Sequence, residues 1–150
     1  EHFATATTQL VMSTLYEHIF SGKKQGHKAV CTCIQGELHE IGMRMVSDML
    51  EMDGWDTYYL GANMPVSGII HAVNDIKPRL LCISATLTTN LSSVSPLIQE
   101  VHARKSREQD VYVMVGGYPF NVDTNLWRKI GADGWAQEFD DILSISGKLR

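Results

Sequence analysis

One histidine in this sequence lies where an imidazole can meet a ligand. The segment GELHEIG at residues 36–42 separates an apolar, strand-like run at 29–34 from a helix-like run that follows it. Open α/β sheets bind ligands beside the carboxyl ends of their strands, and the loop at that position carries His39. The position of His39 therefore makes it a candidate ligand contact.

Small side chains follow two further strand-like runs. Ser84-Ala85-Thr86 ends one run, and Gly116-Gly117 ends another. Small residues at neighbouring strand ends leave space along one line beside the sheet, and glycine lets a ligand approach the backbone closely. A lone loop histidine is most often a solvated or capping residue, but this combination predicts a slot with an imidazole at its mouth.

Strand and helix patterns alternate along the chain around these loops. Strict alternation of this kind requires right-handed crossovers between parallel strands. We predict a flavodoxin-like (Rossmann-like) α/β fold, with a five-stranded parallel sheet in the order 2-1-3-4-5, helices on both faces and an extra N-terminal helix. The predicted strands are 28–34, 56–60, 79–85, 111–115 and 134–136, and the predicted helices are 4–21, 41–53, 66–76, 90–105, 123–130 and 139–146.

The length and charge of the chain indicate one domain that does not bind nucleic acid. A chain of 150 residues can bury a core without disulfides, and we expect residues 1–26 to form the N-terminal helix and a linker and residues 27–150 the α/β domain. The 13 basic residues are scattered and the formal charge is -4, so no basic patch is present for nucleic acid. The chain begins without a methionine, and we expect it to be a fragment of a longer protein.

Hydropathy and cysteine content predict the surroundings of the protein. The longest apolar runs fall far short of the ~20 residues that a membrane-spanning helix needs, so we expect no membrane association. Cys31, Cys33 and Cys82 lie in apolar strand-like runs, and we interpret them as buried, reduced thiols. Reduced thiols indicate a cytoplasmic location.

Three other functions of α/β proteins do not fit this pattern. Receiver domains need clustered acidic residues after the first strand and a lysine late in the sheet. Flavodoxin-type loops need hydroxyl and glycine residues where this chain has Glu37 and His39, and a carboxylate there would repel a phosphate. No spacing indicates a Ser-His-Asp or Cys-His pair, so hydrolytic catalysis is not expected.

The three loops together resemble the cobalamin-binding domain that corrinoid-dependent methyltransferases, mutases and some light-responsive regulators share. That family carries Asp-x-His-x-x-Gly after strand 1, Ser-x-Leu after strand 3 and Gly-Gly after strand 4. This sequence has Glu37-Leu38-His39-Glu40-Ile41-Gly42, Ser84-Ala85-Thr86 and Gly116-Gly117 at the corresponding loops and in the same order. The resemblance covers residues 27–146, nearly all of the predicted α/β part.

The resemblance implies a role for each of these residues. His39 is expected to be the lower axial ligand of the tetrapyrrole metal, with Glu37 accepting a hydrogen bond from its other ring nitrogen. Gly42 is expected to allow a tight turn into the helix. The residues expected to line the slot for the nucleotide tail of a corrinoid are Ser84, Thr86, Gly116 and Gly117.

Two of these residues depart from the family pattern. Glu37 replaces the aspartate, which moves the carboxylate one methylene outward and predicts a looser hydrogen bond to His39. Thr86 replaces leucine, which makes that wall of the slot more polar. Corrinoid carriers also have a helical bundle before this domain, whereas only the helix at 4–21 precedes it here.

The departures resemble one branch of the family, the AppA-type photosynthesis antirepressors of purple bacteria (AppA, AerR and PpaA). Their domain is described as a sensor containing heme instead of cobalamin. The resemblance implies a regulatory domain that binds heme or cobalamin through His39 and a repressor of the PpsR type, and so derepresses photosynthesis genes in response to light and oxygen. A ligand acts on repressor affinity only through a movable element, for which the first helix and residues 118–125 are the candidates.

Two alternatives to this regulatory interpretation stay open. The first is a corrinoid carrier subunit of a methyltransferase, in which His39 tunes cobalt. The second is an interaction domain that kept the fold and lost the ligand. Under the regulatory interpretation the chain is not an enzyme. An imidazole ligates either metal, so an open or closed tail slot is the feature that distinguishes cobalamin from heme.

Overall fold

The sheet has the predicted strand order. In the computed structural model, which describes residues 2–20, 22–104 and 110–150, five parallel strands lie in the order β2-β1-β3-β4-β5. Their bounds are β1 Lys28–Ile34, β2 Asp56–Met64, β3 Leu80–Ser84, β4 Tyr112–Gly116 and β5 Gly134–Trp135. β1 lies inside the sheet and is buried after its first residue, as expected for a parallel strand covered on both faces.

Helices cover both faces of the sheet, as predicted. The helices are α1 His2–Thr14, α2 Tyr16–Ile19, α3 Ile41–Met52, α4 Val66–Ile76, α5 Leu91–Ala103, α6 Tyr118–Val122, α7 Leu126–Lys129 and α8 Phe139–Lys148, and Thr88–Asn90 form a 3₁₀ turn. Successive residues of β1 point to opposite faces, so Val30 packs with α4 and α5 while Cys31 packs with α3 and α8. Each face therefore has its own apolar core. None of the described helices is both long and apolar enough to cross a membrane.

The predicted N-terminal helix is interrupted at Leu15. The Leu15 N–H donates to the carbonyl of Met12, three residues back, and α2 starts at Tyr16. The hydroxyls of Ser13 and Thr14 donate to nearby backbone carbonyls, a pattern that competes with the regular helix. The predicted helix end at residue 21 lies outside the described residues.

The predicted helix at 123–130 is wrong in its first half. α6 starts five residues earlier, directly after Gly117, with Pro119 in its first turn, where the missing proline N–H costs nothing. It ends at Val122, because the backbone of Asp123 is extended, and α7 follows as a separate short helix. The predicted helix at 90–105 ends at Ala103, and its residue 105 lies outside the described residues.

β2 continues past its predicted end at residue 60. A register shift between Cys31 and Thr32 of β1 brings Thr32 opposite Gly61, whose φ is +91°. Glycine reaches this backbone region without strain, so the strand takes up the extra residue and runs on to Met64. The longer strand brings Asn63 beside the loop that follows β1.

Candidate functional site

A buried carboxylate joins two of the predicted loops. The Glu37 side chain is fully buried, and its Oε1 accepts a hydrogen bond from the His39 backbone N–H at 2.9 Å. The Nδ1 atom of the His39 ring lies 2.6 Å from the same oxygen. The other carboxylate oxygen of Glu37, Oε2, accepts a hydrogen bond from the Thr86 N–H at 2.5 Å, and the side-chain amide nitrogen of Asn90 lies 3.5 Å from it. Glu37 therefore ties the loop after β1 to the loop after β3.

The predicted loosening of the contact between Glu37 and His39 is wrong. The backbone of Glu37 is fixed on both sides, because its N–H donates to the Ile34 carbonyl and its carbonyl accepts from the Asn63 N–H, each at 2.9 Å. From this position the longer glutamate side chain reaches both His39 and the β3 loop. The extra methylene extends the reach of the carboxylate without costing the contact with the imidazole.

Hydrogen bonds keep Glu37 ionised. Burial alone would raise the pKa of this carboxyl, but donors from the His39 and Thr86 backbone and from the His39 ring outweigh burial and lower the pKa to about 2. An ionised carboxylate can accept a hydrogen bond from the N–H at Nδ1. In a neutral imidazole the lone pair then lies on Nε2. The arrangement prepares Nε2 of His39 to ligate a metal.

His39 lies at the mouth of an open groove. Its side chain is 60% exposed, and the groove beside it has a volume of about 340 Å³. The structure brings the predicted slot residues to this one groove, and Glu37 lies buried behind His39. The predicted residues that line the groove are His39, Gly42, Ser84, Thr86, Gly116 and Gly117.

The chain after β5 forms a wall that sequence reasoning missed. Residues 136–139 and Ile142 line the groove opposite Met43 and Val46 of α3. A smaller apolar recess of about 50 Å³ continues inward between α3 and the sheet, reaching Cys82 and Met114. The predicted strand order could have indicated this wall, because β5 lies beside β4 and the carboxyl ends of parallel strands lie at the same edge of the sheet.

Gly42 and Gly117 are glycines for different reasons. Gly42 lies in the first turn of α3 without a positive φ, and a Cβ there would have no neighbouring atom within 4 Å, so the predicted tight turn is wrong. Gly42 instead keeps the groove wall free of a side chain. Gly117 has a φ of +122°, and a Cβ would collide with the Ala85 carbonyl, so the fold itself requires glycine there.

The site offers one metal ligand rather than a cluster. Across the described residues, no three His, Cys, Asp or Glu side chains are grouped to hold a metal ion. The nearby Cys33 is a poor ligand, because burial and then the Glu37 carboxylate raise the pKa of its thiol to about 12. A tetrapyrrole brings four ring nitrogens of its own, so a single imidazole beside an open groove fits such a group.

Comparison with known proteins gives a consistent family. The family model described as a B12 binding domain matches residues 27–144. Dimethylamine corrinoid protein 1 of Methanosarcina mazei is 31% identical over 117 residues, which are 77% of this chain and 52% of that protein. The dimethylamine corrinoid protein of Methanosarcina barkeri is 32% identical over 130 residues, 86% of this chain and 59% of that protein. The chain spans about half the length of these curated relatives.

Solved structures show the same likeness. A cobalamin-binding protein from Desulfitobacterium hafniense DCB-2 superposes with a TM-score of 0.76 at 28% identity, over 84% of this chain and 60% of that one. The monomethylamine corrinoid protein of Methanosarcina barkeri gives a TM-score of 0.76 at 27% identity, over 93% and 65%. A chain of the methanol:cobalamin methyltransferase complex MtaBC of the same organism shares the fold, with a TM-score of 0.74 at 21% identity over 92% and 52%.

Replacing Glu37 with glutamine should remove a pH-dependent part of the stability of the ligand-free protein. The pKa of Glu37 is about 2 in the folded protein, below the ordinary value of 4.5. The stability that its ionised form contributes is therefore fully present above pH 4.5 and is lost as the pH falls towards 2. We expect the wild type to exceed Glu37→Gln by on the order of 2–3 kcal/mol in the free energy of unfolding near neutral pH. Urea unfolding at a series of pH values measures the gap.

The gap between wild type and Glu37→Gln should narrow as the pH falls. Glu100→Gln is the control, because this glutamate is half exposed and pairs with Arg104, four residues further along the chain, and a surface ion pair of this kind contributes little stability. A gap for Glu37→Gln that stays constant from neutral pH to acid would contradict the assignment of an ionised, hydrogen-bonded carboxylate.

Alanine at the two groove glycines should separate their structural effects. Gly117→Ala should destabilise the protein by on the order of 1–3 kcal/mol, since the backbone is strained for any side chain and the Cβ meets the Ala85 carbonyl. Gly42→Ala should leave stability unchanged or raise it by ~0.5–1 kcal/mol, because alanine favours a helix over glycine. Thermal melts of both variants test this difference, and equal losses would contradict it.

Proposed function

This chain belongs to the B12-binding domain family, and we propose that it is the corrinoid-carrying domain of a methyl-transfer system. One observation carries the proposal: an exposed imidazole, oriented by a buried carboxylate, lies at the mouth of a groove lined by small residues. This function is the carrier alternative of the sequence interpretation. In it the chain carries a cofactor for a partner enzyme and is not itself the catalyst.

His39 would ligate the metal of the cofactor, and the groove would hold its nucleotide tail. Glu37 would hold the proton on Nδ1, so that Nε2 would offer its lone pair to the metal. The Ser84 hydroxyl and the Thr86 side chain line the groove as polar partners for the nucleotide tail. When bound, a corrinoid supplies a cobalt atom that accepts and releases a methyl group.

The groove favours a corrinoid over heme. Its volume of about 340 Å³ lies beside the candidate axial ligand, where a nucleotide tail needs space, and heme has no such tail to fill it. The curated relatives described above are corrinoid proteins, so heme has no support from them. The open groove also argues against an interaction domain that has lost its ligand.

The antirepressor interpretation has no support from the related proteins. The named relatives are corrinoid proteins, a cobalamin-binding protein and a chain of a methanol:cobalamin methyltransferase complex, and none of them points to a PpsR-type repressor or to regulation by light and oxygen. The glutamate that suggested this branch keeps the contact to His39. Movement of the first helix or of residues 118–125 in response to a ligand stays a prediction.

A methyltransferase subunit is the partner that the carrier function implies. The methanol:cobalamin methyltransferase complex contains a chain of this fold. Three exposed apolar residues can contact a ring or a partner chain: Leu38 in the loop after β1, Leu87 after β3 and Tyr118 at the start of α6. The cysteines are free and buried, in keeping with the predicted reducing, cytoplasmic location.

Titration with three tetrapyrroles tests the proposed function. We expect the apoprotein to bind hydroxocobalamin with a shift in its absorption spectrum, and to bind aquocobinamide, which lacks the nucleotide tail, and hemin at least about tenfold more weakly, a difference of ~1.4 kcal/mol. His39→Ala should lose the spectral shift and weaken hydroxocobalamin binding.

His71→Ala is the control for the loss of an imidazole, because His71 lies on α4 and does not line the groove. It should bind as the wild type does. Tighter binding of hemin than of hydroxocobalamin, or equal binding of cobinamide and cobalamin, would overturn the assignment of the groove to a nucleotide tail. A His39→Ala spectrum identical to that of the wild type would overturn the assignment of His39 as the metal ligand.

A further inference from the structure

The residue after His39 is held from two sides. Oε2 of Glu40 accepts a hydrogen bond from the Tyr59 hydroxyl at 2.9 Å, and Oε1 accepts from the Gln9 side-chain amide at 2.6 Å. Tyr59 belongs to the edge strand β2 and Gln9 to α1, 31 residues away from Glu40 along the chain. One carboxylate therefore connects the His39 loop to two elements outside the groove.

Helix capping does not explain the Glu40 side chain. Glu40 is the residue before α3, and its carbonyl accepts the N–H of Arg44 as the helix begins. The side chain of a residue in this position commonly accepts a backbone N–H of the first turn. Glu40 makes no such bond, and its carboxylate turns outward to Tyr59 and Gln9 instead.

The Gln9 contact ties the N-terminal helices to the site. These helices rest on α3 through the buried Ile19 and through the Arg44 guanidinium, which lies 5.2 Å from the centre of the Tyr16 ring. α1 leaves the large side chains of Leu10 and Val11 exposed. The hydrogen bond from Gln9 to Glu40 fixes α1 directly beside the residue that carries the imidazole.

We propose that Glu40 is a positioning residue for His39. Its hydrogen bonds with Tyr59 and Gln9, which we call the clamp, fix the backbone on the helix side of the histidine. Glu37 fixes the ring and the backbone on the strand side. The imidazole is thereby held over the groove from both directions. The effect on cobalt ligation rests on the proposed function, whereas the effect on the loop does not.

The clamp also couples α1 to the site. A position of α1 that breaks the Gln9 bond removes one of the two restraints on Glu40 and frees the loop. Because coupling between two sites is reciprocal, ligation by His39 and docking of α1 should strengthen one another. The predicted movable first helix thus has a physical link to the candidate ligand.

Hydrogen exchange in the ligand-free protein tests the clamp without any cofactor. In Glu40→Ala, the amides of His39 and Arg44, which donate to the Glu37 carboxylate and to the Glu40 carbonyl, should exchange roughly five- to tenfold faster than in wild type, because the backbone between them loses both side-chain restraints. Tyr59→Phe and Gln9→Ala each remove one contact and should give smaller increases. Glu17→Ala, a change of an exposed acid on α2, is the control and should leave these amides unchanged.

Absorption spectra with saturating hydroxocobalamin test the effect on ligation. Glu40→Ala should show a smaller fraction of histidine-ligated cobalt than wild type, and Glu40→Gln, which keeps an acceptor oxygen, should restore part of it. A merely structural loss would lower the melting temperature and leave this fraction at saturation unchanged.

The outcomes separate the clamp from the proposed function. A wild-type protein that binds no hydroxocobalamin refutes the proposed function, while the exchange rates still decide on Glu40. Exchange at the His39 and Arg44 amides that is unchanged in a folded Glu40→Ala overturns the clamp. Should Glu40→Ala fail to fold, unchanged exchange in both Tyr59→Phe and Gln9→Ala overturns it equally.

Discussion

The site depends on one buried, ionised carboxylate. A charge inside a protein is costly unless donors surround it, and Glu37 has the His39 amide and ring on one oxygen and the Thr86 amide on the other. These donors come from the loops after β1 and β3, which flank the point where the strand order reverses. The bonds that make the charge tolerable therefore also hold the two sides of the groove at a fixed separation.

The edge strand β2 holds the same loop from the outside. Asn63 accepts the Gly36 N–H through its side chain at 2.8 Å and donates its own N–H to the Glu37 carbonyl. It does so with a φ of +52°, a conformation in which asparagine is more common than most residues. With Tyr59 on Glu40, β2 contacts the loop on both sides of His39. The edge strand thus supports the loop that carries His39.

Local patterns in the sequence predicted the scaffold and the groove but not the contacts between loops. The apolar run at 29–34, followed by a loop and a helix, placed His39 correctly, and the strand order brought the serine and glycine loops beside it. The bond from Glu37 to Thr86 joins residues 49 apart, and the bond from Gln9 to Glu40 joins residues 31 apart. No periodicity encodes such pairs, because each depends on side-chain reach after the sheet has formed.

Two departures from ordinary structure favour a domain that holds a ligand. Glutamate at position 37 contacts both His39 and the β3 loop, so the longer side chain still orients the imidazole. Glycine at position 42 costs ~0.5–1 kcal/mol in a helix relative to alanine, although a Cβ there would have no atom within 4 Å apart from its own helix backbone. A side chain is missing at the groove wall where the fold alone has room for one, as expected if the groove holds the ligand that we propose.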